Sequence, residues 1–421
     1  MAPPELAVAN DWMPLASTGA ARFRTDHPTA DGRGVLIAIL DTGVDPAVPG
    51  LATTTTSQPK IADLRDFSGE GTVALRRVEP DGDSVQVGSR RLGGFGRVRA
   101  VAASGPWYAG AVAELPLGVA PAADLNGNGV VGDTLPLVVA RATDGWVVFP
   151  DRDGDGSLAG ERPVADYLRA RDWFGWSRPG RTPPAGIAVN LDELGGEPRL
   201  TLVYDLDSHG THVAGIAAGH GIYATTGLDG TAPGAQLLGL KIANAGQGSV
   251  STGGAIARAL DYAIGFAAAR RQPLVVNLSF GVGNEVEGGA AIDRLLDSVL
   301  RRHPDVVLAV SAGNDGPGLS SLGAPGSARR GITVGATIPR GFLPPPAAGG
   351  ETAEPIAFFS GRGGELAKPE LVAPGVAYST VPRWDAGDEV KQGTSMAAPQ
   401  VAGIAALLLS ALREEGRGAD G

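Results

Sequence analysis

The chain has 421 residues, 64 of them Gly and none Cys, and 35 basic against 45 acidic residues give a net charge of −10. The lack of Cys excludes a disulfide framework, a thiolate-ligated metal site and a cysteine nucleophile, and the acidic balance argues against sequence-independent nucleic-acid binding. With 43% hydrophobic and 19% charged residues the chain is globular, and its length alone predicts two or three domains.

The first apolar run is Val35–Leu40, preceded by Gly34 and followed by Asp41-Thr42-Gly43. A short, unbroken run of this kind predicts a strand buried on both faces, as in parallel α/β sheets. From about 46 to 202 the pattern changes to Gly, Pro, Thr and Asp, with short alternating runs at Arg97–Ala103 and Leu135–Arg141 that predict strands and a helical period only at Pro163–Trp173. From 203 onward, apolar runs at Gln236–Ile242, Leu274–Phe280, Val306–Ser311 and Ile332–Ala336 alternate with helical spacings. The latter are Ile256, Leu260, Ala263 and Ile264, then Ile292, Leu295, Leu296 and Val299. Strands and helices at this pitch predict crossover units and a mostly parallel sheet. The expected architecture is one α/β unit over 20–410, split by a β-rich insertion at 46–202. No run of about 18 apolar residues predicts a membrane span, and Met1–Asn10 lacks the pattern of a signal peptide. The compartment stays open.

Four segments carry chemistry. Asp41 stands at the C-terminal end of a predicted parallel strand, where α/β proteins place their sites. His209, in Asp207-Ser208-His209-Gly210-Thr211-His212-Val213-Ala214-Gly215, opens a helix whose inner face is Val213, Ile216 and Ala217. His209 and His212 make a weak zinc pair, with no helical Glu between them and no third ligand; His212 reads as structural. Asn314 follows the strand ending near Val310 and offers an amide donor for a developing oxyanion. Ser395, in Gly393-Thr394-Ser395-Met396-Ala397-Ala398-Pro399, enters a helix with Val401, Ile404, Ala405 and Leu408 on one face. Taken singly, each has a commonplace reading as a turn Asp, a hydrogen-bonded His, a turn Asn or an N-cap Ser.

Together, in the order Asp, His, Asn, Ser, the segments resemble the subtilisin-like serine peptidases over about 20–45 and 203–410. The resemblance implies a three-layer α/β/α fold and a peptide-bond hydrolase that needs no cofactor for its chemistry. It assigns Asp41 to orient the imidazole, His209 as general base and acid, Ser395 as nucleophile and Asn314 to the oxyanion. It also implies that Ser279-Phe280-Gly281, the loop 246–249 with Gly248, and Gly313 hold an extended polypeptide, and that Ala324–Pro325 matches a cis-proline site. Family members usually continue beyond the point where this chain ends, 26 residues after Ser395. Further strand and helix elements are therefore expected there.

Residues 19–46 and the long separation of Asp41 from His209 resemble the tripeptidyl peptidase II branch. That branch holds a substrate's free N-terminus with acidic residues, and the matching positions here are the uncharged Ser251 and Val282. Loss of the ion pair points to an endopeptidase. Glu285 or Glu287 would have to substitute for an N-terminal tripeptide-releasing enzyme. A calcium-binding pseudo-peptidase is the reading from another class. Two loops suggest a structural calcium: Asp151, Asp153 and Asp155 before Gly156 with Glu161 after, and Asp124, Asn126 and Asn128 before Gly129 with Asp133 after. Position twelve is Arg162 in one and Leu135 in the other, so neither loop is standard. The oligomeric state is not readable from the sequence.

Overall fold

Val35–Leu40 does form the centre of the protein. In the computed structural model, which describes residues 3–114, 124, 126–178, 180–284, 286–344 and 353–416, β1 (Leu36–Asp41) is buried along its whole length. It lies between two parallel neighbours, β3 (Gln236–Lys241) and β4 (Leu274–Leu278). The remaining strands of this parallel sheet are β2 (Ile61–Asp66), β5 (Val307–Ser311), β6 (Ile332–Thr337) and β7 (Leu371–Pro374), in the order β2-β3-β1-β4-β5-β6-β7.

Period-two alternation sends the two sides of β1 into two cores. Ile37 and Ile39 pack with Val213 and Ile216 of α1 (His209–Ala218) and with Met396, Val401 and Ala402 of α4 (Thr394–Glu414). Leu36, Ala38 and Leu40 pack with Ile256, Ala259 and Leu260 of α2 (Gly253–Arg270) and with Leu296 and Leu300 of α3 (Ala291–Arg302). The three-layer α/β/α arrangement follows from that alternation. By length and composition α4 could cross a bilayer, yet most of its apolar stretch is buried inside the protein, as a central core helix requires.

The segment between β1 and α1 is β-rich, with two antiparallel sheets of five and four strands. The strand Thr134–Ala142 contains the expected run Leu135–Arg141. Three features depart from the sequence reading. Ile61–Asp66 lies within the span expected as an insertion, yet it is the edge strand β2 of the central sheet. The alternating run at Arg97–Ala103 forms a helix, Gly96–Val101. Val98, Val101 and Ala102 also stand at i, i+3, i+4, and that spacing lets the segment pack beside Phe95 against the five-stranded sheet. The helical period at 163–173 yields one turn, Tyr167–Ala170, capped by the Asp166 side chain and ended by Arg171 at φ 56°.

Candidate active site

Asp41 closes β1 and His209 opens α1. They meet because the first turn of α1 is tied to the residues after β1. A helix leaves its first N–H groups without intrahelical partners. Thr42 Oγ1 accepts from Gly210 N at 2.9 Å, and Asp205 Oδ2 accepts from Thr211 N at 3.0 Å and Thr211 Oγ1 at 2.5 Å. The other Asp205 oxygen accepts from Ser208 N at 2.9 Å, Asp207 N at 3.1 Å and Thr42 Oγ1 at 3.0 Å. Sequence reasoning missed Asp205. Its signal was an acidic residue just upstream of a helix start. Burial pushes the Asp205 pKa up, against the lowering influence of Lys241 and Thr211. Gly210 permits the close approach: a Cβ there would lie 2.1 Å from the Gly43 carbonyl oxygen and 3.0 Å from Asp41 Cβ.

The result is a bond of 2.7 Å between His209 Nδ1 and Asp41 Oδ1, which also accepts from Thr42 N at 2.8 Å. Asp41 is 3% exposed. Its contact selects the tautomer with the proton on Nδ1 and leaves Nε2 as the acceptor. Burial disfavours a charged His209, but the Asp41 carboxylate, by charge and hydrogen bond, and then Asp207 and Asp205 outweigh it. The His209 pKa is therefore held above the usual histidine value. His212 differs. It is buried, its Nε2 lies 2.9 Å from the Glu389 carbonyl oxygen, and burial pushes its pKa down to about 3. It shares no metal-type cluster with His209 among the described residues.

Ser395 is the second residue of α4, where the backbone N–H has no helical partner. Gly393 before it has φ 150°, and a Cβ there would come within 3.4 Å of Asn314 Nδ2. Thr394 N and Oγ1 donate to Asn314 Oδ1 at 2.9 and 3.0 Å, and Thr394 Oγ1 accepts from Gly313 N at 3.2 Å. With its oxygen so tied, the Asn314 amide presents Nδ2 as its donor end. Four residues on from Ser395 stands Pro399, inside the helix and without an N–H. The Ser395 carbonyl therefore has no i+4 donor. The Ser279 hydroxyl supplies one at 3.0 Å, and Ser395 Oγ donates to the Ser279 carbonyl at 3.4 Å.

Asp41, His209, Asn314 and Ser395 all line one cavity of about 310 Å³, together with Ser279, Phe280, Gly281 and Gly313. Gly248 is not among its lining residues; the neighbouring Ser249 is. Two carboxylates unforeseen in the sequence, Asp207 and Asp315, also line it. Ser249 Oγ donates to Asp207. Val282 lies at the rim, 56% exposed, and its backbone pairs with Ala324 through two bonds of 2.9 Å. Ala324–Pro325 is a cis peptide. The Glu287 carboxylate does not turn toward this cavity. It accepts from Gly364, Glu365 and Leu366 N–H groups at 2.7–3.2 Å. Glu285 lies outside the described residues.

The two loops expected to bind a cation differ from each other. In the first, Asp151, Asp153 and Asp155 come together, but Glu161 accepts from Arg152 N at 2.9 Å and from the Arg152 side chain. In the second, Asp133 accepts from the Asn126 and Asn128 side-chain amides, and Asp124 accepts from Asn128 N at 3.1 Å and Gly129 N at 2.6 Å.

A family model described as the Subtilase family (peptidase S8) matches residues 32–417. Tripeptidyl-peptidase 2 of Oryza sativa subsp. japonica is 30% identical over 480 residues, covering 96% of this chain and 34% of that protein. Pyrolysin of Pyrococcus furiosus is 29% identical, covering 92% of this chain and 32% of that protein. The chain thus spans about a third of the length of these curated relatives. A crystal structure of tripeptidyl peptidase 2 superposes over 95% of this chain and 34% of its own, with a TM-score of 0.70 at 24% identity, a likeness of fold.

Proposed function

The chain belongs to the subtilase family, and from that premise we propose that it is a serine endopeptidase hydrolysing polypeptides through an acyl-enzyme. One observation carries this reading above the others: four groups suited to acyl transfer, drawn from four separate segments of the chain, line a single cavity. A serine hydroxyl is a weak nucleophile until a base takes its proton. Ser395 Oγ leaves its resting bond to the Ser279 carbonyl, gives its proton to His209 Nε2 and attacks the scissile carbonyl. Asp41 holds the imidazole and stabilises its charged form. The oxyanion accepts from Asn314 Nδ2 and the Ser395 backbone N–H, donors already fixed before substrate arrives. His209 then returns the proton to the leaving amine, and water repeats the sequence on the acyl-enzyme.

A second reading, release of N-terminal tripeptides, is favoured by the similarity to tripeptidyl-peptidase 2. Against it stand the uncharged Val282 at the rim and the engagement of Glu287 by the loop 364–366. One experiment separates them. The protein and its Ser395→Ala variant are incubated with a long unstructured peptide, N-acetylated or free, and the products are weighed by mass spectrometry. Internal cuts in both peptides, absent with the variant, are expected. Successive tripeptides from the free peptide alone would establish the second reading, and equal cleavage by the variant would remove both.

A further inference from the structure

A second cavity, of about 370 Å³, lies between the turn after β1, the β-rich segment near 182–185 and the loop 381–386. It shares no lining residue with the cavity around Ser395. We propose that it binds a short apolar peptide with free ends, the ammonium at Asp45 and the carboxylate at Arg383. Its volume lies within the range of about 300–1,000 Å³ that small-molecule sites occupy. Its walls are apolar: Val48, Pro184, Ala185 and Val381 line it, with the rings of Trp173 and Tyr223. Trp173 is left 36% exposed, an aromatic face with room for an apolar side chain.

Two charged groups interrupt these walls, and neither is neutralised. Asp45 is 1% exposed, and its Oδ1 accepts from Ala47 N at 2.7 Å and Gly186 N at 3.0 Å. Its Oδ2 accepts from no group among the described residues, and a buried carboxylate left this way is costly. Burial pushes the Asp45 pKa up to about 7, so the carboxylate lacks the cation that would hold it ionised. Arg383 offsets this only in part: it acts on Asp45 by its charge, and no ion pair joins the two. The Arg383 side chain is exposed and makes no hydrogen bond or ion pair among the described residues.

A ligand of one charge cannot satisfy both groups. A simple amine would face the Arg383 guanidinium, and a simple carboxylate would face Asp45. A ligand with opposite charges at its two ends meets both, and the guanidinium fork suits a carboxylate. In a free amino acid the two charges share one carbon. Asp45 and Arg383 stand too far apart to pair, so charges separated by a peptide bond bridge them better. Apolar side chains on that peptide match the walls.

The site adjoins the catalytic residues without opening on them. Asp45 N donates to Thr211 Oγ1 at 3.0 Å, and Trp384 Nε1, next to Arg383, donates to the Asp205 carbonyl at 3.1 Å. Thr211 and Asp205 belong to the network that fixes the first turn of α1.

The test is calorimetric titration of the Ser395→Ala variant with leucyl-leucine, above pH 7, where Asp45 is ionised. N-acetyl-leucyl-leucine and leucyl-leucine amide each remove one charge from the probe. Arg383→Gln, made in the same background, alters an exposed side chain. Asp45→Asn alters a buried one, so its melting temperature is measured beside its affinity. A long peptide capped at both ends, added in excess, fills the cleft around residue 395. The expected result is one site per chain, with affinity for leucyl-leucine lowered at least about tenfold in Arg383→Gln and in folded Asp45→Asn. Each capped probe should lose as much, and the long peptide should change nothing. Absence of binding at millimolar leucyl-leucine, equal affinity in Arg383→Gln or equal affinity of the capped probes would overturn the proposal. So would displacement by the long peptide, which would put the probe in the catalytic cleft.

Discussion

At the scale of single residues, the cavity is governed by charge placed around one imidazole. Asp41 contacts His209 directly, whereas Asp207, two positions before it and lining the same cavity, also favours the charged ring through its charge. In the proposed mechanism His209 is the general base and must be neutral to accept the serine proton. A raised pKa therefore moves the acid limb of the activity profile upward, with kcat/KM falling as the pH drops below a value above the ordinary histidine 6.5. Asp207→Asn removes one charge and keeps the shape. Its acid limb should shift to lower pH while the rate on the plateau stays within a few-fold of wild type. A pH–rate profile of both proteins measures this, and coincident profiles would show that Asp207 does not act on His209. The same carboxylate was hard to read in the sequence, because in Asp207-Ser208-His209 it looks like a helix-start residue. Only the fold turns it into the cleft.

At the scale of elements, the site depends on how α4 begins. Pro399 removes one helical hydrogen bond, and Ser279, at the end of the segment leading from β4, replaces the donor. This ties the helix carrying Ser395 to the strand expected to bind peptide. Removing the donor leaves the Ser395 carbonyl unsatisfied in Ser279→Ala, at a cost of about 1–3 kcal/mol. Pro399→Ala supplies an N–H of its own, so in that background the loss of Ser279 should cost less. A double-mutant cycle by urea unfolding should give a coupling of about 0.5–3 kcal/mol, and additive effects would refute the replacement. The motif around Ser395 was legible because its residues are local. The pairing of Pro399 with Ser279 was not, because it joins segments 120 positions apart. Strand β2 escaped the sequence reading for a related reason. Its buried Asp63 and largely buried Arg65 break the apolar run, and their partners, each other and Tyr262, become visible only once the chain has folded.

At the scale of the whole molecule, the central sheet is closed on the β2 side by a buried amine. Lys60, directly before β2, is fully buried, and its Nζ donates to the Pro233 carbonyl at 2.6 Å and the Ala235 carbonyl at 2.9 Å, at the entrance to β3. Burial pushes its pKa down to about 7, against the raising influence of Asp229 and Asp31. The unfolded chain binds this proton up to an ordinary lysine pKa near 10.4, so between about 7 and 10.4 it holds more proton than the folded chain. Stability from this group therefore rises with pH across that window, by at most about 1.4 kcal/mol per pH unit. Other groups titrate nearby: Asp45, raised by burial to about 7, loses its favoured protonated form as pH rises from 3.8, and His209, held above the usual histidine value by Asp41, also opposes the trend. A comparison with Lys60→Met cancels these common contributions. The wild-type denaturation midpoint, measured against that of Lys60→Met at each pH, should climb from pH 7 to 9.5. The variant can be more or less stable at pH 7, since two carbonyls lose a donor while a costly charge disappears; only the pH dependence of the difference decides. A difference that stays flat across the window would mean that Lys60 keeps its proton when buried, and that the β2 edge holds a full positive charge rather than a neutral amine.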